Sequence, residues 1–261
     1  MAYLERDGVA VYYEVNGPTS DTGRAPLLLS HGYSATADMW TPNMAALAAD
    51  RQVITWDIRG HGQSGSPESQ DLYSEALSVE DMAGILDACG VEKAVIGGLS
   101  LGGYLSLAFN LRYPNRVVGL VLCDTGPGYR KDDARNAWNA MAAKWADDFD
   151  RKGLDALGRG AEVKASRHVS PEGLARAGRG ILTQYDSRVI DSLPHISVPT
   201  LVLVGADDTA FLAAAEMMAA KIPGATKATI DGAGHAANLD NPEAFDKALL
   251  AFLDSAFLDS L

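Results

Sequence analysis

Three kinds of side chain have the types and placement needed for attack on a carbonyl. Ser100 stands in Gly98-Leu99-Ser100-Leu101-Gly102-Gly103, between the apolar run Val95-Ile96 and a helix-forming sequence. A strand, a turn and a helix in that order put the serine on a sharp, strained bend. Glycines on either side remove the Cβ atoms that would clash where helix meets strand. A serine hydroxyl is a weak nucleophile near neutral pH and needs a base. His235, in Gly232-Ala233-Gly234-His235, is the candidate, because imidazole can accept a proton and later return it to a leaving group. The histidine in turn needs a carboxylate to fix its tautomer and stabilise the imidazolium, and an aspartate of the pair Asp207-Asp208 can supply it. Asp124, just after the apolar run Val117–Cys123, reads as a turn or cap residue at the base of the following segment.

Carbonyl chemistry also requires donors for an oxyanion. The backbone N–H of Leu101, at the helix start, is one candidate, and that of Tyr33, in the loop His31-Gly32-Tyr33 after the run Leu27–Ser30, is the second. Trp138, Met141 and Trp145 recur at helical spacing and share one face, which packs either among neighbouring helices or onto a pocket; with Trp40 they are the candidate substrate-binding residues. His31 and His61 are expected to hold loops by hydrogen bonds, and His168 and His195 to be surface or insertion residues. Cys89 and Cys123 lack the spacing of a metal knuckle or a redox pair and are expected to be small buried thiols; no metal and no cofactor is expected.

The elements that must position these residues follow from periodicity. Strands are expected at Tyr3–Glu5 and Val9–Val15, joined by the Asp7-Gly8 turn, and then at Leu27–Ser30, Gln52–Trp56, Ala94–Gly97, Val117–Cys123, Pro199–Gly205 and Lys227–Ile230. Helices are expected at Asp38–Ala49 with Asp38 as N-cap, Ser78–Ala88 with Gly90 as C-cap, Leu101–Arg112, Ala210–Lys221 and Pro242–Leu253. Strands alternating with helices at this spacing give a mostly parallel sheet covered on both faces. Ser100, Asp207-Asp208 and His235 all follow expected strands, at the sheet edge where ligands bind in such folds. From Tyr129 to Leu193 no β-rich run appears, which predicts a helical insertion.

The chain has 261 residues, and its net charge of −12 argues against nucleic acid and anionic membrane as partners. Residues 128–191 hold 12 of the 22 basic side chains and 10 of the 34 acidic ones, so this segment differs chemically from its acidic flanks. A carboxylate-bearing substrate or simply a solvated mixed surface would fit that balance. No run reaches the ~18 apolar residues of a membrane span, and Met1–Asp7 lacks a secretory apolar stretch, so a cytoplasmic location is expected. The tail repeats Ala-Phe-Leu-Asp-Ser at 251–255 and 256–260, and a duplicated helix end is the expected reading.

Taken together, these motifs resemble the α/β-hydrolase superfamily along essentially the whole chain. His31-Gly32-Tyr33 is similar to its oxyanion loop, and Asp57-Ile58-Arg59-Gly60-His61-Gly62-Gln63-Ser64 to its Asp-x-Arg-Gly-x-Gly-x-Ser turn. Gly98–Gly103 resembles its nucleophile elbow, Gly205-Ala206-Asp207-Asp208 its acid loop and Gly234-His235 its histidine loop. The resemblance implies an eight-stranded, mostly parallel sheet with helices on both faces. The core would be residues 1–127 and 194–261, with a small helical cap at 128–193. It also implies Asp208 as the acid, with Asp124 as a rival because some members carry their acid after the strand that here ends at Cys123. The implied activity is that of a cofactor-independent serine hydrolase of a small-molecule ester or lactone, most similar to bacterial esterases and 3-oxoadipate enol-lactonases. Haloalkane dehalogenases and epoxide hydrolases of this fold use an aspartate nucleophile where this chain has Ser100. C–C bond hydrolases, aminopeptidases, perhydrolases and hydroxynitrile lyases share the serine, and a non-catalytic ligand receptor is the alternative from another functional class.

Overall fold

Asp7 and Gly8 both adopt positive φ, 54° and 73°, in the computed structural model, which describes residues 1–18, 20 and 22–255. That conformation makes the tight turn joining β1 (Ala2–Arg6) to β2 (Val9–Asn16) as an antiparallel hairpin. Six more strands follow: β3 (Leu27–Ser30), β4 (Val53–Trp56), β5 (Ala94–Leu99), β6 (Val117–Cys123), β7 (Thr200–Gly205) and β8 (Thr226–Ile230). They form one eight-stranded sheet in the order β1-β2-β4-β3-β5-β6-β7-β8, parallel from β4 onward.

Every residue of β3 to β7 is buried, as a parallel sheet covered on both faces demands. Alternate residues point to opposite faces. Leu28, Ile96, Leu120 and Val202 belong to the core on the face of α2 (Glu75–Ala88) and α3 (Leu101–Arg112), while Leu29, Val95, Val121 and Leu203 belong to the core that holds Trp40, Phe245 and Leu249. The eight-stranded, mostly parallel sheet with helices on both faces is therefore the architecture the sequence predicts.

Local differences have local causes. The helix predicted at Asp38–Ala49 is instead a 3₁₀ segment at Ala37–Asn43 followed by a single turn, α1 (Met44–Leu47). Pro42 has no N–H and its ring crowds the carbonyl one turn back, and Asp38 lies inside the segment rather than capping it. α2 begins three residues earlier than predicted because the Ser74 hydroxyl caps it, accepting the Leu77 N–H at 3.1 Å. Gly90 takes φ 69° just past its end. Cys123 is buried, but Cys89 is only half-buried, so the expectation for that thiol is corrected.

Between β6 and β7 the chain forms α4 (Asp132–Lys152), α5 (Ala161–Lys164), α6 (Pro171–Gly180) and α7 (Arg188–Ser192), with no strand among the described residues. α4 and α6 pack through Ala146, Phe149, Leu174 and Ala175. α8 (Leu212–Lys221), α9 (Ala237–Asp240) and α10 (Pro242–Leu253) complete the fold. Residues 251–255, the first copy of the tail repeat, end α10; the second copy lies outside the described residues. Among the described residues no helix is long and apolar enough to cross a membrane.

The Asp57–Ser64 turn is held by its own motif residues. Arg59, fully buried, forks onto Asp81 of α2 at 2.6 and 2.7 Å and also reaches the Leu72 carbonyl and Asp7. Asp57 accepts the N–H groups of Ala37 and Gln63, each at 2.8 Å, while burial pushes its carboxyl up to about 6. These side chains fix the loops after β3 and β4 relative to one another.

Candidate active site

The carboxyl ends of the central strands are brought into one line by register. Leu99 pairs with Cys123, Cys123 with Leu203, and Gly205 with Ile230. Ser100 follows β5 directly, with φ 54° and ψ −113°, a conformation whose strain is of order 1–3 kcal/mol for a non-glycine residue. The glycines beside it are sterically required. A Cβ on Gly98 would lie 2.5 Å from the Gly102 carbonyl carbon and 2.6 Å from the Ser30 oxygen, and one on Gly102 would run into the Ser30 carbonyl. α3 can thus press against β3, and the Ser100 N–H donates to the Cys123 carbonyl at 2.9 Å.

His235 lies in the loop after β8, and its Nδ1 is 2.8 Å from Oδ2 of Asp208 in the loop after β7. Burial works against a charged imidazole there, yet the hydrogen bond and charge of Asp208, with Asp124 and Glu162 behind it, leave the His235 pKa raised. Asp208 is buried and Asp207 exposed, and of the pair it is Asp208 whose carboxylate meets His235. Asp124 is also buried, at φ 44°, and its Oδ1 accepts the Gly205 N–H at 2.7 Å, so it ties β6 to β7. Burial, partly offset by that N–H and by His235, pushes its carboxyl up to about 7.

Leu101 opens α3, so its N–H has no carbonyl one turn back within the helix. The loop bearing Tyr33 lies against the elbow: a Cβ on Gly32 would sit 3.4 Å from the Ser100 Cβ. This loop is itself strained, with Ser34 at φ 62°. Two imidazoles hold it. The Ser34 N–H donates to His61 Nε2 at 3.2 Å, and His168 Nε2 donates to the Ser34 carbonyl at 3.0 Å while its Nδ1 accepts the Gly62 N–H. His31 accepts the Ile58 N–H at Nε2 and donates from Nδ1 to the Gly32 carbonyl at 2.7 Å. Burial holds all three pKa values down, that of His31 to about 3. Thus His31 and His61 fasten loops as expected. His168 is an insertion residue, as expected, and it also links the inserted segment to the loop beside Ser100.

Ser100 and Leu101 line a cavity of about 450 Å³ between the sheet edge and the inserted helices. Trp138 lines it too, and its indole N–H donates to the Leu182 carbonyl at 2.9 Å. The other three substrate-binding assignments are corrected. Trp40 is fully buried against Phe245 in the core on the far face of the sheet. Met141 is 37% exposed and lies outside the lining, and Trp145 stacks on the Tyr33 ring at 6.5 Å rather than facing the cavity. Sequence reasoning missed Phe211, which lines the cavity and stacks on His235 with centroids 5.1 Å apart, and Gln184, a buried amide in the same lining. Neither has a periodic or motif signal, because each reaches the cavity through the fold of its segment.

A strained serine elbow and a paired histidine and aspartate at one edge of a doubly wound sheet define a hydrolase-type architecture. Residues 27–248 match the model of the Alpha/beta hydrolase family, and the chain belongs to that family. Among curated proteins it is 30% identical to 3-oxoadipate enol-lactonase 1 of Acinetobacter baylyi, over 96% of this chain and 95% of that one. Among solved structures it is similar to a thermophilic esterase from Thermogutta terrifontis (malate bound), with TM-score 0.81 and 29% identity over 97% of this chain and 96% of that one. It is also similar to the enol-lactonase of Burkholderia xenovorans LB400, with TM-score 0.77 and 26% identity over 96% of this chain and 99% of that one. The family and these relatives support an enzyme with esterase or lactonase-type activity.

Proposed function

We propose that this protein is a cofactor-independent serine hydrolase that cleaves a carboxylic ester or lactone of a small molecule through an acyl-enzyme. The observation that carries this reading is the 2.8 Å pairing of His235 with Asp208 at the edge where Ser100 is held at positive φ. In this mechanism Ser100 Oγ attacks the carbonyl carbon and His235 Nε2 takes its proton. The N–H groups of Tyr33 and Leu101 receive the charge that develops on the carbonyl oxygen. Collapse of the tetrahedral intermediate breaks the bond to the alcohol, which leaves with the proton from His235. Water, deprotonated by His235, then cleaves the acyl-enzyme and restores Ser100. Asp208 keeps His235 in the tautomer with a proton on Nδ1 and stabilises the imidazolium. Residues 128–193 act as the cap that closes one side of the cavity, and the lining of Trp138 and Phe211 excludes water from the acyl group.

Conversion of Ser100 to alanine tests the proposal on a short p-nitrophenyl ester. Turnover should fall to the background set by binding and the oxyanion donors, while the fold, followed by circular dichroism, stays intact. Full activity in Ser100→Ala would refute it.

A further inference from the structure

The cavity beside Ser100 is mostly apolar, and nearly all the buried polar groups that line it are already engaged. The Tyr104 hydroxyl donates to Glu75 at 2.9 Å, the Thr125 hydroxyl to the Ser100 carbonyl at 2.5 Å, and the Trp138 indole to Leu182. At the rim, Arg130 is paired with Asp191 at 2.6 Å, and Arg130 and Lys131 are both exposed to solvent. Gln184 differs. It is 7% exposed, lines the cavity, and its Oε1 is buried without a hydrogen-bond partner among the described residues.

Its position is not incidental. Asn139 of α4 clamps the Gln184 backbone from both sides, its Oδ1 accepting the N–H and its Nδ2 donating to the carbonyl, each at 2.8 Å. Below the carboxamide lies Gly128, at φ 87°, where a Cβ would come within 2.8 Å of Oε1. A buried polar group left without a partner costs about 1–3 kcal/mol, a penalty removed when a ligand supplies the missing bond. We infer that Gln184 is a specificity residue, and that the substrate carries an uncharged hydrogen-bonding group, a hydroxyl above all, on the part that fills this cavity. A hydroxyl both donates and accepts, so it suits either end of the carboxamide. A charged carboxylate does not, because the amide offers it no neutralising charge inside an apolar lining.

This inference rests on the esterase reading, and its test separates the two. Hydrolysis rates are compared for p-nitrophenyl hexanoate and for counterparts carrying a hydroxyl at successive acyl carbons, and likewise for hexanoate esters of simple and hydroxylated alcohols. In the wild-type protein at least one hydroxylated ester should exceed its parent in kcat/KM by about tenfold or more. Gln184→Leu should bring that ratio close to one. Parents hydrolysed without any preference for a hydroxylated ester, or a preference that survives in Gln184→Leu, would overturn the inference while leaving the esterase reading intact. The wild-type comparison decides the matter even if that variant does not fold. Failure to hydrolyse any ester, with Ser100 unlabelled by a fluorophosphonate, would overturn the esterase reading and this inference with it.

Discussion

Asp208 Oδ2 accepts from His235 Nδ1 at 2.8 Å, whereas Asp124, the other buried carboxylate near that imidazole, accepts the Gly205 N–H through Oδ1 at 2.7 Å. The two aspartates should therefore respond differently to the same change. Asp208→Asn should lower kcat by about 10⁴-fold, the scale found when the orienting acid of such a triad becomes an amide. Asp124→Asn keeps an acceptor for Gly205 and should retain activity within about tenfold. Steady-state kinetics of both variants on one ester checks this, and equal losses would show that Asp124 shares the role.

The pH profile follows from the same pair. His235 must be neutral to act as base, and its pKa is raised because Asp208 outweighs burial. Hence kcat/KM should rise with pH through an inflection above the ordinary histidine value of about 6.5. In Asp208→Asn the burial penalty stays and the favourable charge goes, so the inflection of the residual activity should move to lower pH. An inflection that stays in place would separate His235 titration from Asp208.

His168 ties the inserted helices to Ser34, next to the Tyr33 N–H. Loss of a whole oxyanion donor costs about 10²–10³-fold in kcat. Loosening the loop that presents one should cost less, and His168→Ala is expected to lower kcat about tenfold with KM changed little. A change confined to KM would assign His168 to substrate binding instead.

Arg59 and Asp81 are both fully buried and joined by two short bonds. Removing Asp81 leaves the buried Arg59 only the exposed carboxylate of Asp7, so Asp81→Ala should destabilise the protein by about 3 kcal/mol, read from the denaturant midpoint. A loss below about 1 kcal/mol would mean that the existing Asp7 pairing, with water, suffices for Arg59.

Much of this fold was legible because its signals are local. Short continuous apolar runs, the Asp7-Gly8 turn and the glycines around Ser100 each act through neighbouring backbone, and the order Ser100, Asp208, His235 fits strand ends in register. The α3 helix appears as read, from Leu101 to Arg112. For the side chains around the site, the deciding contacts were distant in sequence. Trp40 meets Phe245 across the core, the bond from His168 reaches Ser34, and Gln184 is placed by Asn139. Helical spacing put Trp138, Met141 and Trp145 on one face, but which of them faces the cavity depends on how α4 lies over the sheet edge. The start of α2 was missed because Ser74 and Ser78 are both plausible caps, and only the bond from Leu77 distinguishes them.

The central claim is that Ser100 carries the acyl group between two chemical steps. Rapid mixing with p-nitrophenyl acetate, acid quenching and peptide mass analysis measures this directly. The account expects a burst of p-nitrophenol and one acetyl group on the peptide containing Ser100. Turnover with no acetylated peptide under burst conditions, or acetylation at another residue, would contradict it.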